Sequence, residues 1–555
     1  MTEWACAERC STSSASDARH RLNESLCAIR DPGTSVHGCR ESLTSYGFDV
    51  NSVTERLRPS VEKHLWPLVE AFMGSRDVAG LAVAVVQDGE VVSRGFGVRD
   101  VGTGERVTPE TMFHLASVSK PFVATAVVSL ATAHDASEPA LDLDAPIVAW
   151  VPEFTLADGR ADEVTARGLL SHTSGLPDVA EFGWHDPQLG DDALSDFARS
   201  LSTRRLQFAP GSECSYSNAG FELLGLLLSR VTGTTFEAAI RQQVLLPLGM
   251  RNSTFRRAEV PAHLGAAPHV GMPPRVPGDA YPYTRRHAPS STLHSNLVEM
   301  SRWLAAHLQP YDWPAQGPGD SLVRLDPALL DLMWRPVIPL GEPPWEIDMA
   351  LGWCLGSYRG RRTVGHSGGD PGFGSMLVLV PESRTGVVVL ANSNTVPTST
   401  IAAAALDVAL AGSAVVASSV VSPDELGEGV AALGSLLPPI VGPVAHALNT
   451  SGKAAAEAAF HRLAESDQTA FDVDDQGFVD AVWGAIELHR TSMVWPLLRL
   501  WTAVRPDSSA AWTMTGWAHQ VDGHTDLARS LLRRALDLDP ENDDAALIMS
   551  NLPSA

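Results

Sequence analysis

The chain has 555 residues, 44% of them hydrophobic and 19% charged, which suits two or three packed domains and excludes a disordered chain. A formal net charge of −24 repels phosphate backbones and argues against nucleic acid as a partner. Three of the 41 basic residues are lysine (Lys63, Lys120 and Lys453), so a lysine in apolar surroundings stands out.

Residues 1–51 are rich in Ser, Arg and Cys without periodicity, which predicts a loose leader. They show neither the basic start nor the apolar stretch of an export signal, so a cytoplasmic location is expected. Cys6, Cys10, Cys27, Cys39, Cys214 and Cys354 include no CxxC pair and read as inert thiols. No metal or other cofactor is expected. From Ser52 to Met73, apolar residues at helical spacing (Val53, Leu57, Val61, Leu65, Leu68, Val69 and Phe72) predict an amphipathic helix. AGLAVAVVQ (79–87), Asp88-Gly89 and EVVSRGFGV (90–98) then predict a hairpin, since Asp-Gly suits the tight turn that matches strand twist.

Ser117-Val118-Ser119-Lys120 follows, inside an apolar run that predicts a buried helix beginning near Ser117. Residues three apart share a helix face, so the hydroxyl and the amine meet. Burial favours a neutral amine able to take the serine proton, and the helix N-terminus offers an N–H to an oxyanion. A chance surface lysine would give no reason for the apolar setting. Tyr216-Ser217-Asn218 stands in a Pro/Gly/Ser-rich loop before a second apolar helix. A phenol there can relay a proton while the amide holds Lys120 and substrate; the plainer alternative is a packing tyrosine with an N-capping asparagine.

Gly365-His366-Ser367-Gly368-Gly369 also matches a nucleophile elbow, but an elbow needs a helix after its serine and DPGFG follows instead. It reads as an edge strand facing a cleft, with His366 pointing in and a backbone N–H offered by Gly369. GSMLVLV, PESRTG and VVVLAN (374–392) predict a second hairpin. Strands from both ends around a mainly helical insert predict a two-lobed α/β domain over residues 52–412.

Residues 413–472 read as an Ala/Val-rich helical connector. Pro438, Pro439 and Pro443 interrupt the uncharged run Gly429–Leu448, so no transmembrane segment is expected there. Trp512, Gly516, Ala528, Ala535 and Pro540 have the offsets of a tetratricopeptide helix pair, and Pro506 suggests a degenerate unit before it. Residues 473–555 are therefore read as a tetratricopeptide-like region that packs on the main domain or docks a protein partner. DLDPENDD lacks the spacing of a calcium loop and reads as a solvated helix end.

In this order, Ser-x-x-Lys, Tyr-x-Asn and [Lys/His]-[Ser/Thr]-Gly resemble the serine β-lactamase and penicillin-binding protein superfamily, in particular its class C β-lactamase, D-peptidase and esterase branch. ARGLLSHTSGLP (166–177), PGSECSYSNAGFELLG (210–225), LLPLGMRNSTF (245–255) and VGHSGGDPGF (364–373) support the resemblance, which covers about residues 55–412. It implies a β-lactamase-like serine hydrolase fold: an antiparallel sheet flanked by helices plus a helical lobe, here with an all-α extension. It also implies Ser117 as acylated nucleophile, Lys120 as general base, Tyr216 in proton relay and Asn218 as positioning group. The N–H groups of Ser117 and Gly369 would form the oxyanion hole, with His366, Ser367 and Gly368 beside the substrate.

His366 stands where a typical β-lactamase has lysine, so a fixed charge for a β-lactam carboxylate is missing. PSSTLHSN (289–296) stands where many relatives carry paired glycines. The expected reaction is hydrolysis of a small-molecule or peptide ester or amide through an acyl-enzyme. Acyl transfer or cyclisation from the same intermediate is one alternative, and a non-catalytic binding protein is the alternative of another class.

Overall fold

The computed structural model describes residues 57–132, 141–179, 181–308, 325–411, 426–466 and 470–553. The leader, residues 52–56 of the first expected helix and most of the connector's start lie outside them. Leu57 to Ser75 is helical, with a π turn at Val61–Leu65, and it buries Leu57, Val61, Leu65, Val69 and Phe72 at the predicted spacing.

Ten strands follow: β1 Gly80–Gln87, β2 Glu90–Gly97, β3 Phe113–His114, β4 His294–Ser295, β5 Ile338–Glu342, β6 Glu346–Met349, β7 Cys354–Tyr358, β8 Arg361–Asp370, β9 Phe373–Val380 and β10 Thr385–Ala391. β3 and β4 pair by themselves; the other eight form one antiparallel sheet in the order β2-β1-β10-β9-β8-β7-β6-β5. Both predicted hairpins are present. Asp88 (φ 48°) and Gly89 (φ 97°) join β1 to β2, the double positive φ that an Asp-Gly turn supplies.

β1 shows why its sequence reads as a continuous apolar run. Leu81, Val83 and Val85 pack under the helices Leu57–Ser75, Thr398–Leu410 and Glu428–Ser435, while Ala82, Ala84 and Val86 face the helical lobe. Strand side chains alternate, so a sheet covered on both faces needs apolar residues at every position. The helical lobe packs Ser119–Thr132, Asn218–Thr232 and Leu297–Leu308 into that second core. On the first face, the buried Asp407 carboxylate accepts from Gly429 and Val430 N–H at 2.7 and 3.1 Å. That bond ties the Glu428–Ser435 helix to the sheet through the N–H groups its first turn leaves open.

The edge-strand expectation for residues 365–369 needs correction. β8 lies between β7 and β9, but β7 pairs only with Arg361 to Gly365. From His366 to Asp370 the strand pairs on one side alone, with β9, and its other side turns to the Ser117 segment. It is interior for half its length and an edge for the other half.

Helices Val441–Ser451, Lys453–Ser466, Gln476–Glu487, Trp495–Val504 and Ser509–Val521 share a core with Trp184, Val270 and Met272 of the preceding α/β region. A Cβ on Gly484 would lie 2.9 Å from Val270 and 3.5 Å from the Gly372 nitrogen, so the Gln476–Glu487 helix is seated directly on the end of β8. Helices Thr525–Leu538 and Asp543–Ser550 close the chain around a smaller cluster. Among the described residues no single helix is long and apolar enough to cross a membrane.

Candidate active site

The chain leaves β3 through a 3-10 turn, Ala116–Val118, and enters the helix Ser119–Thr132. Ala116 sits at φ 48°, a left-handed conformation that costs a residue with a Cβ about 1–2 kcal/mol. Three bonds hold this turn. Leu115 N–H donates to Leu293 O (2.8 Å), Leu293 N–H donates to Ser119 Oγ (2.9 Å), and Ser375 Oγ donates to Leu115 O (2.7 Å). Ser117 is thereby set just before the α-helix, and Lys120 in its first turn.

Lys120 is fully buried. Its Nζ lies 2.9 Å from Ser117 Oγ, 2.7 Å from Asn218 Oδ1 and 3.0 Å from the Ser290 carbonyl. Ser217, not Asn218, caps the Asn218–Thr232 helix by accepting from Gly220 N–H. That leaves the Asn218 amide free to bridge: Oδ1 faces Lys120 while Nδ2 donates to Asp178 Oδ2 at 3.0 Å. Asp178 also accepts from the backbone N–H of Asn218 (2.6 Å) and Val179 (2.7 Å). Burial raises its carboxyl above the ordinary value, against the pull of these donors and of Lys120.

The Tyr216 ring centroid is 4.8 Å from Lys120 Nζ, and the ring stacks on His172 at 4.3 Å. His172 has φ 56° and accepts from Ser217 N–H through Nδ1 (3.0 Å). Burial, with Lys120 close by, drops its imidazole well below the usual value, so it is neutral. On the opposite wall, the His366 ring lies 6.2 Å from that of Tyr216. Burial and then Lys120 push His366 down to about 3. Its Nδ1 is 2.6 Å from the Ser367 carbonyl and so carries the proton, which leaves the buried Nε2 an acceptor with no protein partner among the described residues.

A Cβ on Gly368 would stand 2.5 Å from Leu115 O and 3.1 Å from Ser117 N, so β8 reaches the Ser117 turn only because residue 368 has no side chain. Gly369 opens onto free space, with nothing within 4 Å of a Cβ there. The next residue, Asp370, meets His114 Nε2 at 2.7 Å, both buried. Burial pushes the carboxyl up to about 8 and the imidazole down to about 3, so near neutral pH the pair shares one proton and carries no charge.

The structure thus gathers Ser117, Lys120, Tyr216, Asn218 and the 366–369 strand in one place. It adds residues that the sequence reading passed over: Asp178, His172, Ser290 and the His114–Asp370 pair. PSSTLHSN supplies the third acceptor of Lys120 through the Ser290 carbonyl, and Ser290 Oγ in turn donates to buried Glu222 at 2.6 Å. Asp178 directly follows the segment ARGLLSHTSGLP, which is the one signal that could have drawn attention to it.

A hydroxyl held by a buried amine, between a phenol and a glycine-lined strand end, is an acyl-transfer constellation. A family model described as Beta-lactamase matches residues 67–411. The chain belongs to the beta-lactamase family. It has that family's fold, with the antiparallel sheet flanked by helices and a helical C-terminal region. Protein flp of Staphylococcus aureus (strain MW2) is 27% identical over 350 residues, covering 61% of this chain and 64% of flp. Esterase EstB of Burkholderia gladioli is 35% identical over 246 residues, covering 42% of this chain and 59% of EstB. The octameric penicillin-binding protein homologue from Pyrococcus abyssi superposes with a TM-score of 0.54 at 27% identity, over 63% of this chain and 77% of that one. The chain spans less than two thirds of the length of flp or EstB.

Proposed function

We propose that this beta-lactamase-family chain hydrolyses esters or amides through an acyl-enzyme on Ser117. The observation that carries the reading is the Lys120 amine, fully buried and 2.9 Å from Ser117 Oγ. Lys120 in its neutral form takes the hydroxyl proton as Oγ attacks the carbonyl carbon. The N–H groups of Ser117 and Gly369 receive the oxyanion, a role that accounts for the close approach of β8 to the Ser117 turn. Tyr216 passes a proton to the departing alcohol or amine and regains one from Lys120. A water then attacks the acyl carbon, with the same groups returning the proton to Ser117. Asn218, fixed by Asp178, orients Lys120, and Ser367 and Gly368 complete the wall beside the substrate.

The neutral His366 supports an ester or amide substrate over a carboxylate-bearing β-lactam. It presents an acceptor nitrogen in place of a fixed positive charge. The kinship with a protein named as an esterase points the same way. In this reading the helices after residue 473, a tetratricopeptide-like pair among them, serve as a cap seated on the catalytic region, since they share a core with Trp184 and Val270.

The test is the intact mass of wild type and Ser117→Ala after exposure to a fluorophosphonate, followed by turnover of activated esters and D-amino acid amides. One adduct on the wild type and none on the variant is expected. Folded wild type without an adduct would remove the proposal and leave a binding protein.

A further inference from the structure

We propose that Glu181, His185 and His489 form a binding site for a divalent transition metal of the zinc class, fastening the C-terminal helices to the catalytic region. Glu181 Oε1 lies 3.1 Å from His489 Nε2 and 3.4 Å from His185 Nδ1. The three ligand atoms all fall within 4.8 Å of one another. A tetrahedral ion with bonds of about 2.1 Å sets its ligands about 3.4 Å apart, and the Glu181 oxygen already stands near that spacing from both nitrogens. Two imidazoles and one carboxylate are donors that zinc accepts, with a fourth position left for water.

The two rings stack at 3.6 Å and 12° from parallel, so holding one ion in both ring planes requires the exposed His185 ring to rotate out of the stack. Glu181 and His185 are exposed, so an ion has access from solvent. His489 is the more telling member. It ends the Gln476–Glu487 helix at φ 54°, where its N–H donates to Ile486 O and the next N–H donates to Ala485 O. Glycine fills such a helix end without strain, so a histidine there points to a use for its side chain. Arg490 adds a bond to Asp279 at 2.7 Å, which places the cluster on the seam between the two regions. His489 and Glu181 are 308 residues apart, so no spacing motif could have revealed them. The site does not depend on the Ser117 chemistry.

The experiment uses the full chain, stripped with chelator and titrated with Zn2+ by calorimetry, then with Co2+ to record the visible bands of a tetrahedral site. One equivalent of zinc should bind and raise the melting temperature. His489→Gly keeps the left-handed turn, and therefore the fold. It should weaken zinc binding by on the order of 100-fold or more, beyond the roughly 10–100-fold typical of losing a mere supporting partner. His185→Ala should do likewise. His524→Ala, which breaks the exposed His519–His524 pair, should change nothing. Absence of zinc binding by the wild type, unchanged binding in His489→Gly and His185→Ala, or a loss that follows His524→Ala would each overturn the proposal.

Discussion

Gly368→Ala is the sharpest probe of how the sheet serves the proposed nucleophile, Ser117. The new Cβ would sit 2.5 Å from the Leu115 carbonyl, which is backbone and held by Ser375, and 3.1 Å from Ser117 N. Ordinary contact starts near 3.4 Å, so β8 and the 115–117 turn must part by about 0.9 Å, a displacement of the size that costs about 10²-fold when it misplaces reacting groups. The proposed oxyanion donors lie one on each side of that gap, and losing one such donor costs about 10²–10³-fold in kcat. The overpacking itself costs about 1–3 kcal/mol, a drop of several degrees in Tm that leaves the protein folded at 25 °C. The assay is the second-order rate of fluorophosphonate labelling, with Tm measured in parallel. The expected result is labelling slowed about 100-fold in a folded variant, while Gly369→Ala, whose Cβ meets nothing, keeps the wild-type Tm. Labelling of Gly368→Ala at the wild-type rate would refute the idea that β8 and the Ser117 turn jointly stabilise the oxyanion.

Asp178→Ala strips the Asn218 amide and N–H of their acceptor; stability should fall by about 1–3 kcal/mol in urea unfolding, and kcat should fall more than KM rises. His366 titrates near 3, so between pH 5 and 8 the rate profile should not report on it, and His366→Gln should shift kcat without moving the profile. The His114–Asp370 pair gives stability a pH signature whose sign can be worked out. Asp370, raised from 3.8 to about 8, contributes stability that is complete below pH 3.8 and is lost as pH rises toward 8. His114, lowered from 6.5 to about 3, contributes stability that is complete above pH 6.5 and is lost as pH falls toward 3. The two slopes oppose each other between 3.8 and 6.5, and above 6.5 the Asp370 contribution alone remains, so stability should decline as pH rises toward 8. Denaturant midpoints at pH 7 and 8 measure it, above most of the range in which Glu487, raised by burial to about 7, adds its own loss; Asp370→Asn, which cannot ionise, should flatten the decline between them.

Local chemistry made much of this molecule readable from its sequence. Asp88-Gly89 dictated one hairpin, and the burial of β1 on both faces follows from its unbroken run of valines and alanines. Ser117 and Lys120 were legible because three residues of helix bring them together, and because a lysine is rare in this chain and rarer still among FVATAVV. What escaped was long-range. Asp178 reaches Asn218, and Ser290 reaches Lys120, across loops whose paths no periodicity encodes. The half-edge character of β8 escaped for a related reason: its 366–370 stretch is freed by the short length of β7, which is a property of the neighbour. His114 and Asp370 look like ordinary polar residues until burial, visible only in three dimensions, deprives them of charge.

The pairing of β1 with β10 also bears on how the chain reaches this state. Gln87 bonds to Thr385 across 298 residues of sequence, so the first hairpin is made early in synthesis and must wait for nearly the whole catalytic region before its inner edge is covered. Until then an apolar strand edge, Leu81 to Val86, is open to any other strand, including that of a second nascent copy. Distant pairing of this kind slows folding, because loop closure must precede the contacts that reward it. Production of the protein should therefore be more sensitive to translation rate, temperature and chaperone supply than the stability of the finished sheet would suggest.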